Sequence, residues 1–272
     1  MKTLYVTDLD GTLLNRQNII SQKSIDIING LIERGIMFTY ATARSFNTAP
    51  IVTKGLLLKM PVIVYNGALI LEPSTKEVLA SVKFTEEEAE DIVTALLEQD
   101  IIPMVYAYVN GEEKVSWLAT RENEGIDWYL RFRKNDSRLR PVKEAGQLFE
   151  GEKFYFACIG EEEELLPIYH VFSKDKRFRC TIQQELYRTE YWCEIMPAKA
   201  TKAEAIKKLK EIYKCDRIVS FGDAINDVPM FEISDECYAV DNAVPELKAV
   251  ASGEIGSNEE DGVATWLKEN VD

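Results

Sequence analysis

The stretch TLYVTDLDGTLL, residues 3–14, runs from strand-forming residues directly into two aspartates and a glycine. Apolar and β-branched residues in such a run are typical of a buried strand, and Asp-Gly is typical of a turn. Side chains two residues apart on an extended segment point the same way, so Asp8 and Asp10 could face one site. Adjacent carboxylates repel each other, which is tolerable if a cation lies between them or if one is protonated. A plain turn would also explain the Asp-Gly pair.

The composition indicates a globular protein without polyanionic partners. The chain has 272 residues, 46% of them hydrophobic, so it can bury one large core or two unequal ones. Lys and Arg number 32 against 46 Asp and Glu, and the formal charge of −14 opposes binding to nucleic acid and anionic membranes. Asp8 and Asp10 interrupt the N-terminal apolar run too early for a signal peptide or a membrane span. We therefore expect a cytoplasmic protein that binds neither nucleic acid nor membrane.

The five cysteines do not form a recognisable disulfide or zinc pattern. They are odd in number, widely spaced and without any C-x-x-C pair. We expect them to be reduced thiols in the core.

Strands alternate with helices at the start of the sequence, which predicts a parallel sheet. After the first strand, Ser21 can cap a helix, and a strand at 37–41 follows it. We then predict a helix from about Phe46 to Lys59. The segment at 61–72 has Asn-Gly between two apolar arms, which indicates a hairpin.

The middle of the sequence has a different character. From about Val82, strands have hairpin-like spacing and helices carry more charge, as in an α+β domain, and near Glu194 the alternating pattern returns. We therefore expect a doubly wound, mostly parallel α/β core domain formed by residues 1–82 and 190–272. An α+β domain, residues 83–189, would be inserted into it.

Two further segments carry groups suited to an anion. The second strand leads into Thr42, whose hydroxyl could hold an anion together with nearby backbone N–H groups. Thr201 and Glu204 form a capping box, which places Lys202 in the first turn of a helix. A cation there is unfavourable by about 0.3–1 kcal/mol unless an anion is near. A bound phosphate therefore explains Lys202 better than solvent exposure does, although Lys199 is a rival.

Three polar residues follow the apolar strand at 217–222: Asp223, Asn226 and Asp227. Ligands of open α/β sheets bind at the carboxyl ends of the strands. Four candidates lie at such ends in this interpretation: Asp8, Asp10, Thr42 and Asp223. Carboxylates with a hydroxyl and a lysine suit a hard cation and a phosphate, since Mg2+ prefers oxygen ligands from one or two carboxylates, water and substrate. The sequence therefore predicts phosphoryl transfer.

These motifs resemble those of the haloacid dehalogenase (HAD) superfamily. DLDGTLL at 8–14 is similar to its first motif, Asp-x-Asp-x-Thr, and GDAIND at 222–227 to its fourth, while Thr42 and Lys202 match the second and third. One departure is Thr42-Ala43-Arg44 in place of the usual Thr-Gly-Arg. Four further matches resemble Cof-type phosphatases with a large C2-type (C2B) cap: Asn66-Gly67-Ala68, Glu194-Ile195-Met196-Pro197, Asp241-Asn242-Ala243 and Asp261-Gly262-Val263-Ala264.

The resemblance implies a Rossmann-like core and a Mg2+-dependent phosphatase. Asp8 would attack phosphorus to form an aspartyl-phosphate, and Asp10 would protonate the leaving alcohol and later take a proton from water. Mg2+ would be held by the Asp8 carboxylate, the Asp10 backbone carbonyl and the Asp223 carboxylate. Asp227 would be a partner of Mg2+ or Lys202 rather than a direct ligand.

The resemblance also assigns the remaining residues. Thr42 and Lys202 would hold the phosphoryl oxygens with help from Asn226, and Arg44 would lie at the rim. The inserted domain would be a cap that closes over the site, contacts the leaving group and governs substrate choice. Small phosphorylated metabolites, sugar phosphates first, are the expected substrates.

Three alternative functions are weighed against this one. A phospho-switch like a response-regulator receiver would not need Asp10 as an acid or carry so large an insertion. A relative that only binds phosphosugars is disfavoured by the intact set of acidic and basic residues. A phosphosugar mutase on the same framework would return the phosphoryl group to a bound sugar instead of to water.

Overall fold

The computed structural model, which describes residues 1–184 and 188–271, divides into two units. The first comprises Met1–Ser81 and Ala200–Asp272, and the second comprises Val82–Lys199. The strands are β1 (Thr3–Thr7), β2 (Met37–Tyr40), β3 (Val62–Val64), β4 (Leu69–Leu71), β5 (Val78–Ser81), β6 (Met104–Val109), β7 (Glu112–Leu118), β8 (Leu139–Val142), β9 (Glu152–Gly160), β10 (Phe178–Gln184), β11 (Tyr191–Pro197), β12 (Arg217–Gly222), β13 (Glu236–Val240) and β14 (Gly253–Ile255). The α-helices are α1 (Gln22–Glu33), α2 (Ala49–Val52), α3 (Glu86–Glu98), α4 (Glu124–Arg131), α5 (Glu162–Phe172), α6 (Lys202–Tyr213), α7 (Val228–Glu232), α8 (Pro245–Lys248) and α9 (Gly262–Asn270).

The first unit is built on a parallel sheet with the order β14-β13-β12-β1-β2. In β1, which lies between β12 and β2, Leu4, Tyr5, Val6 and Thr7 are all buried, which requires cover on both faces of the sheet. The predicted doubly wound, mostly parallel core is confirmed. Because β1, β2 and β12 run in the same direction, the residues that follow them meet at one edge of the sheet.

Two local predictions in this unit are confirmed. The hydroxyl of Ser21 accepts the backbone N–H of Ser24 at 3.0 Å and caps α1, whose apolar face buries Ile28, Leu31 and Ile32. The segment around Asn66-Gly67 forms a hairpin, with β3 and β4 paired antiparallel across a short 3-10 turn.

The predicted helix from Phe46 to Lys59 is wrong, because only the four residues of α2 are helical. Pro50 at its start has no N–H to donate, and the β-branched Ile51 and Val52 have low helix propensity. The hydroxyl of Thr53 then bonds back to the carbonyl of Ala49 at 3.0 Å, and the left-handed Gly55 follows. These features end the helix after one turn.

The second unit is α+β and has a six-stranded sheet with the order β10-β11-β9-β6-β7-β8. All neighbours are antiparallel except β7 and β8. The unit extends to Lys199 rather than to residue 189, because β11 pairs with β9 and β10. Residues 190–199, which we expected in the core domain, therefore belong to the second unit.

Two composition-based predictions concern the chain as a whole. All five cysteines are buried free thiols, as predicted. Within the described ranges, none of the helices has the length and apolarity needed to cross a membrane.

Candidate active site

A buried ion pair joins the end of β1 to the start of α6. Asp8 directly follows β1, and Lys202 is the first residue of α6. Asp8 is 6% exposed and Lys202 is 1% exposed. The Nζ of Lys202 donates to Oδ1 of Asp8 at 2.5 Å and to Oδ1 of Asp227 at 2.7 Å. Lys202 is thus not a solvated surface lysine, whereas its rival Lys199 is exposed. Two carboxylates compensate for placing this cation at a helix N-terminus.

The start of α6 fixes the backbone from which Lys202 projects. The hydroxyl of Thr201 accepts the N–H of Glu204 at 3.1 Å, as predicted. The reciprocal half of the predicted capping box is absent, because the Glu204 carboxylate accepts from Nζ of Lys207 at 2.8 Å instead. Gly67 lies against this cap with φ of +101°, and a Cβ there would come within 2.1 Å of the Thr201 carbonyl oxygen.

Three carboxylates form a cluster around this ion pair. One oxygen from each of Asp8, Asp223 and Asp227 lies within 4.8 Å of the other two. Asp227 is fully buried, and its Oδ2 accepts the backbone N–H groups of Asp223 at 3.0 Å and Ala224 at 3.2 Å. Since its Oδ1 is bonded to Lys202, both oxygens of Asp227 are engaged, whereas Asp8 and Asp223 keep acceptor capacity.

The charges of the cluster do not balance. Burial raises the pKa of Asp8 above its ordinary value, although Lys202 opposes this, and burial likewise raises the pKa of Asp223 to about 6. Burial alone would lower the pKa of Lys202, but Asp8 and Asp227 outweigh it and raise that pKa, so the lysine stays charged. One ammonium therefore faces three carboxylates. The excess negative charge and the hard oxygen donors fit a divalent metal ion.

The Asp-Gly turn after β1 is packed against this cluster. The hydroxyl of Thr12 donates to Oδ1 of Asp223 at 2.9 Å, and the Asn242 amide donates to the carbonyl of Gly11 at 2.7 Å. Gly11 has φ of +77°, and a Cβ at this position would lie 2.2 Å from Oδ2 of Asp223. The turn thus requires glycine both for its backbone conformation and for the approach of Asp223.

We expect Gly11→Ala to displace the Asp223 carboxylate and to weaken metal binding. The strained φ and the steric clash together should lower the free energy of unfolding by about 2 kcal/mol. They should also remove most of the rise in Tm that a divalent cation produces. Gly35→Ala is the matched control, because Gly35 also has a positive φ, of +96°, but a Cβ there meets no atom within 4 Å. A Gly11→Ala protein with an unchanged metal-induced rise in Tm would contradict the expected role of the turn.

Asp10 and Asp8 do not share a cation. The Asp10 side chain is 47% exposed and forms an ion pair with Arg44, whereas Asp8 pairs with Lys202. The expected repulsion between the two aspartates is thus relieved by a separate cation for each. Arg44 was expected only at the rim of the site, and its contact with Asp10 was not foreseen.

The hydrogen bonds of the Thr42 and Asn226 side chains are to residues other than Lys202 and the three clustered aspartates. Thr42 is fully buried beside the end of β1, and its Oγ1 accepts the N–H of Arg44 at 3.1 Å. Asn226 is exposed, and its amide lies 3.5 Å from Oδ1 of Asn66 rather than against Lys202. The backbone N–H groups of Leu9, Asp10 and Ala43 donate no hydrogen bond within the described ranges. Unpaired backbone N–H groups in such a turn are suited to holding an anion.

The role of Asn242 was also missed at the sequence level. Its amide oxygen accepts the N–H of Asn258 at 3.0 Å, which fixes the side chain that holds Gly11. The match at Asp241-Asn242-Ala243 marked the segment without indicating this contact, because its partner lies at the other end of the chain.

Comparison with known proteins identifies the family. The sequence model of the haloacid dehalogenase-like hydrolases matches residues 5–267 of this chain. The chain belongs to the haloacid dehalogenase-like hydrolases. Two relatives from Bacillus subtilis are named 5-amino-6-(5-phospho-D-ribitylamino)uracil phosphatases. YwtE is 28% identical and covers 96% of this chain and 95% of its own length. YitU is 26% identical and covers 98% and 96% respectively.

A solved structure supports the same assignment. The crystal structure of TM0651 from Thermotoga maritima has a TM-score of 0.81 and 26% sequence identity, and covers 100% of this chain and 98% of the other. The resemblance of this haloacid dehalogenase-like hydrolase to Cof-type phosphatases, and the expectation of a phosphatase enzyme, are confirmed. The C2 class of its cap stays a prediction.

Proposed function

We propose that this haloacid dehalogenase-like hydrolase is a Mg2+-dependent phosphatase of small phosphorylated metabolites, sugar phosphates above all, and that it acts through an aspartyl-phosphate. The main observation that supports this proposal is the buried Asp8 carboxylate, which Lys202 holds within an acidic cluster at the carboxyl end of β1. The name of the relative YwtE specifies a phosphate on a ribityl chain, which supports small sugar-like esters as the substrate class.

Asp8 is proposed as the nucleophile. Lys202 bonds its Oδ1, while its Oδ2 accepts no hydrogen bond within the described ranges and can attack phosphorus. The attack forms the O–P bond of an aspartyl-phosphate as the bond to the leaving alcohol breaks. Water then cleaves the acyl phosphate, regenerates the carboxylate and releases inorganic phosphate, so one difficult hydrolysis becomes two easier transfers.

The other polar residues divide the remaining tasks. Asp10 gives a proton to the leaving alcohol and takes one from the attacking water. Thr42, Lys202 and Asn226, with the unpaired backbone N–H groups of the site, hold the phosphoryl oxygens. Thr42 and Lys202 are buried at fixed positions and need little reorganisation as charge develops.

The metal ligands proposed are the carboxylates of Asp8 and Asp223 and the backbone carbonyl of Asp10. A Mg2+ ion held there would supply positive charge that lets the carboxylates and a phosphate dianion come together. Asp227 holds Lys202 and the backbone at 223–224, because both of its oxygens are already engaged.

The test is a panel of phosphate esters assayed for release of inorganic phosphate with Mg2+, with kcat/KM determined for each. We expect small sugar phosphates to rank above nucleotides and phosphopeptides. Failure to release phosphate from any ester would refute a phosphatase. Recovery of an isomerised phosphosugar without free phosphate would instead identify a mutase.

The second unit is proposed to select the substrate. Every residue assigned to chemistry lies in the first unit, which leaves residues 82–199 for recognition of the leaving group. Replacing them with a short Gly/Ser linker should leave weak cleavage of p-nitrophenyl phosphate, and the differences in kcat/KM among natural esters should shrink to less than about threefold. The parent protein and the truncated one would be compared after unfolding curves establish that both are folded. If the truncated protein keeps the parent ranking of esters, the second unit does not determine specificity.

A further inference from the structure

We propose that Arg44 is a positioning residue that holds the carboxylate of Asp10 in one orientation for proton transfer. The inference rests on the proposed function, in which Asp10 is the acid and base. The contact between Arg44 and Asp10 has no part in the catalytic roles proposed for the other residues. Arg44 and Asp10 are 34 residues apart in sequence and meet through two parallel hydrogen bonds.

The contact is bidentate. Nε of Arg44 donates to Oδ2 of Asp10 at 2.8 Å, and Nη2 donates to Oδ1 at 2.5 Å. Two parallel bonds to a planar guanidinium fix the plane of the carboxylate as well as its position, which a lysine cannot do. Each carboxylate oxygen keeps a second lone pair, so the pairing leaves a site for the transferred proton.

Arg44 is itself anchored at three points. Its backbone N–H donates to Oγ1 of Thr42 at 3.1 Å, and its carbonyl accepts the N–H of Tyr65 at 3.0 Å. Nη2 also donates to Oδ1 of Asn18 at 3.3 Å. Hydrogen bonds therefore hold both the backbone of Arg44 and the guanidinium at the end of its side chain. Its side chain is 24% exposed, so the pair lies at the edge of the site and not in the core.

Asp10 depends on this contact for its orientation. Its side chain is 47% exposed, and Arg44 donates both hydrogen bonds that the carboxylate accepts within the described ranges. The terminal torsion of an aspartate is intrinsically broad, so an exposed carboxylate without such a partner rotates. General acid catalysis requires the donor within hydrogen-bond reach of the leaving oxygen and contributes about 10²- to 10⁴-fold. If the Asp10 carboxylate loses this orientation, part of the rate enhancement from general acid catalysis should be lost.

The test compares two leaving groups. An alkyl phosphate needs a proton on its departing oxygen, whereas p-nitrophenolate departs without one. Since kcat/KM reports the steps up to departure of the leaving group, Arg44→Ala should lower kcat/KM by about 10- to 100-fold for an alkyl phosphate. The decrease for p-nitrophenyl phosphate should be less than about threefold. Arg44→Lys should behave like Arg44→Ala, because it keeps the charge without the paired hydrogen bonds.

A double-mutant cycle provides the second readout. In an Asp10→Asn background, where turnover is lost, Arg44→Ala should change the single-turnover rate constant for phosphoenzyme formation from the alkyl ester by less than about twofold, since the two residues act as one unit. Arg34→Ala, which removes an exposed arginine from the same unit, is the control for net charge and should leave all values unchanged.

The results that would contradict the role of Arg44 differ from those that would contradict the role of Asp10. Equal losses for both esters would show that Arg44 binds the phosphoryl group or supports the fold, and would overturn the inference. Full activity of Arg44→Lys would overturn it as well. If Asp10→Asn itself shows no dependence on the leaving group, the proposed role of Asp10 fails instead. If Asp10→Asn shows that dependence and Arg44→Ala does not, only the inference about Arg44 fails.

Discussion

Asp8→Asn is expected to abolish turnover and phosphoenzyme formation together, lowering kcat by roughly four orders of magnitude or more. The amide is nearly the same size as the carboxylate but is not a nucleophile. Lys202 keeps its bond to Asp227, so the start of α6 should stay in place. The measurements are kcat with p-nitrophenyl phosphate, and the mass of acid-quenched protein to detect a bound phosphoryl group.

Asp10→Asn is the matched control for this result. It should retain metal binding, because the proposed ligand at this position is the backbone carbonyl, yet it should also lose turnover. With p-nitrophenyl phosphate it should accumulate phosphoenzyme, since departure of the leaving group needs no acid but hydrolysis of the intermediate needs the base. Substantial turnover by Asp8→Asn, or a phosphoenzyme in that variant, would overturn the assignment of the nucleophile.

Removal of divalent metal is the second change with a very large expected effect. EDTA treatment should lower kcat/KM by about 10³-fold or more, and added Mg2+ should restore it, because Asp8, Asp223 and a phosphate dianion repel one another without a cation. The same experiment has a readout that does not depend on activity. Saturating Mg2+ should raise Tm by about 5 °C at pH 7.5.

The rise in Tm should depend on pH in a defined direction. The folded-state pKa of Asp223 is raised to about 6, above the ordinary value of about 4 for a carboxyl group. In metal-free protein, Asp223 therefore makes its full contribution to the free energy of unfolding below about pH 4, and this contribution is lost as the pH rises through about 6. Asp8, whose pKa is also raised, adds to this loss. Mg2+ should thus stabilise the protein more at pH 7.5 than at pH 5.

Asp223→Asn is the control for the metal effect. It should abolish most of the Mg2+-induced rise in Tm and flatten the pH dependence of the metal-free protein. Full activity after exhaustive metal removal would eliminate the proposed chemistry. An equal rise in Tm at both pH values would show that these carboxylates are not the metal site.

Much of the first unit could be predicted from local sequence. The apolar run at 3–7 forms the interior strand β1, Ser21 caps α1, and the Asn-Gly hairpin forms as expected. These features depend on the period of apolar residues and on single capping or turn residues, which act over a few positions. The proximity of Asp8, Lys202 and Asp223 could be predicted for a related reason. Each follows or begins an element whose direction the alternating pattern already implies.

Other features depended on contacts between distant residues. The strand β11 was assigned to the wrong unit, because its place was decided by pairing with β9 and β10 rather than by its composition. The helix expected up to Lys59 ended after one turn, where Pro50 and the bond from Thr53 to Ala49 outweighed the apolar pattern.

The sequence by itself determined the parallel core, the acidic turn after β1 and the membership of the family. Only the tertiary structure decided which cation faces which carboxylate. Lys202 approaches Asp8 from 194 residues away, and Arg44 approaches Asp10 from 34. Neither sequence separation corresponds to a repeat of residue types from which the contact could have been predicted. The physical reason is that an ion pair is selected by where folding places two side chains and by how well the site is shielded from water, both of which are properties of the packed chain.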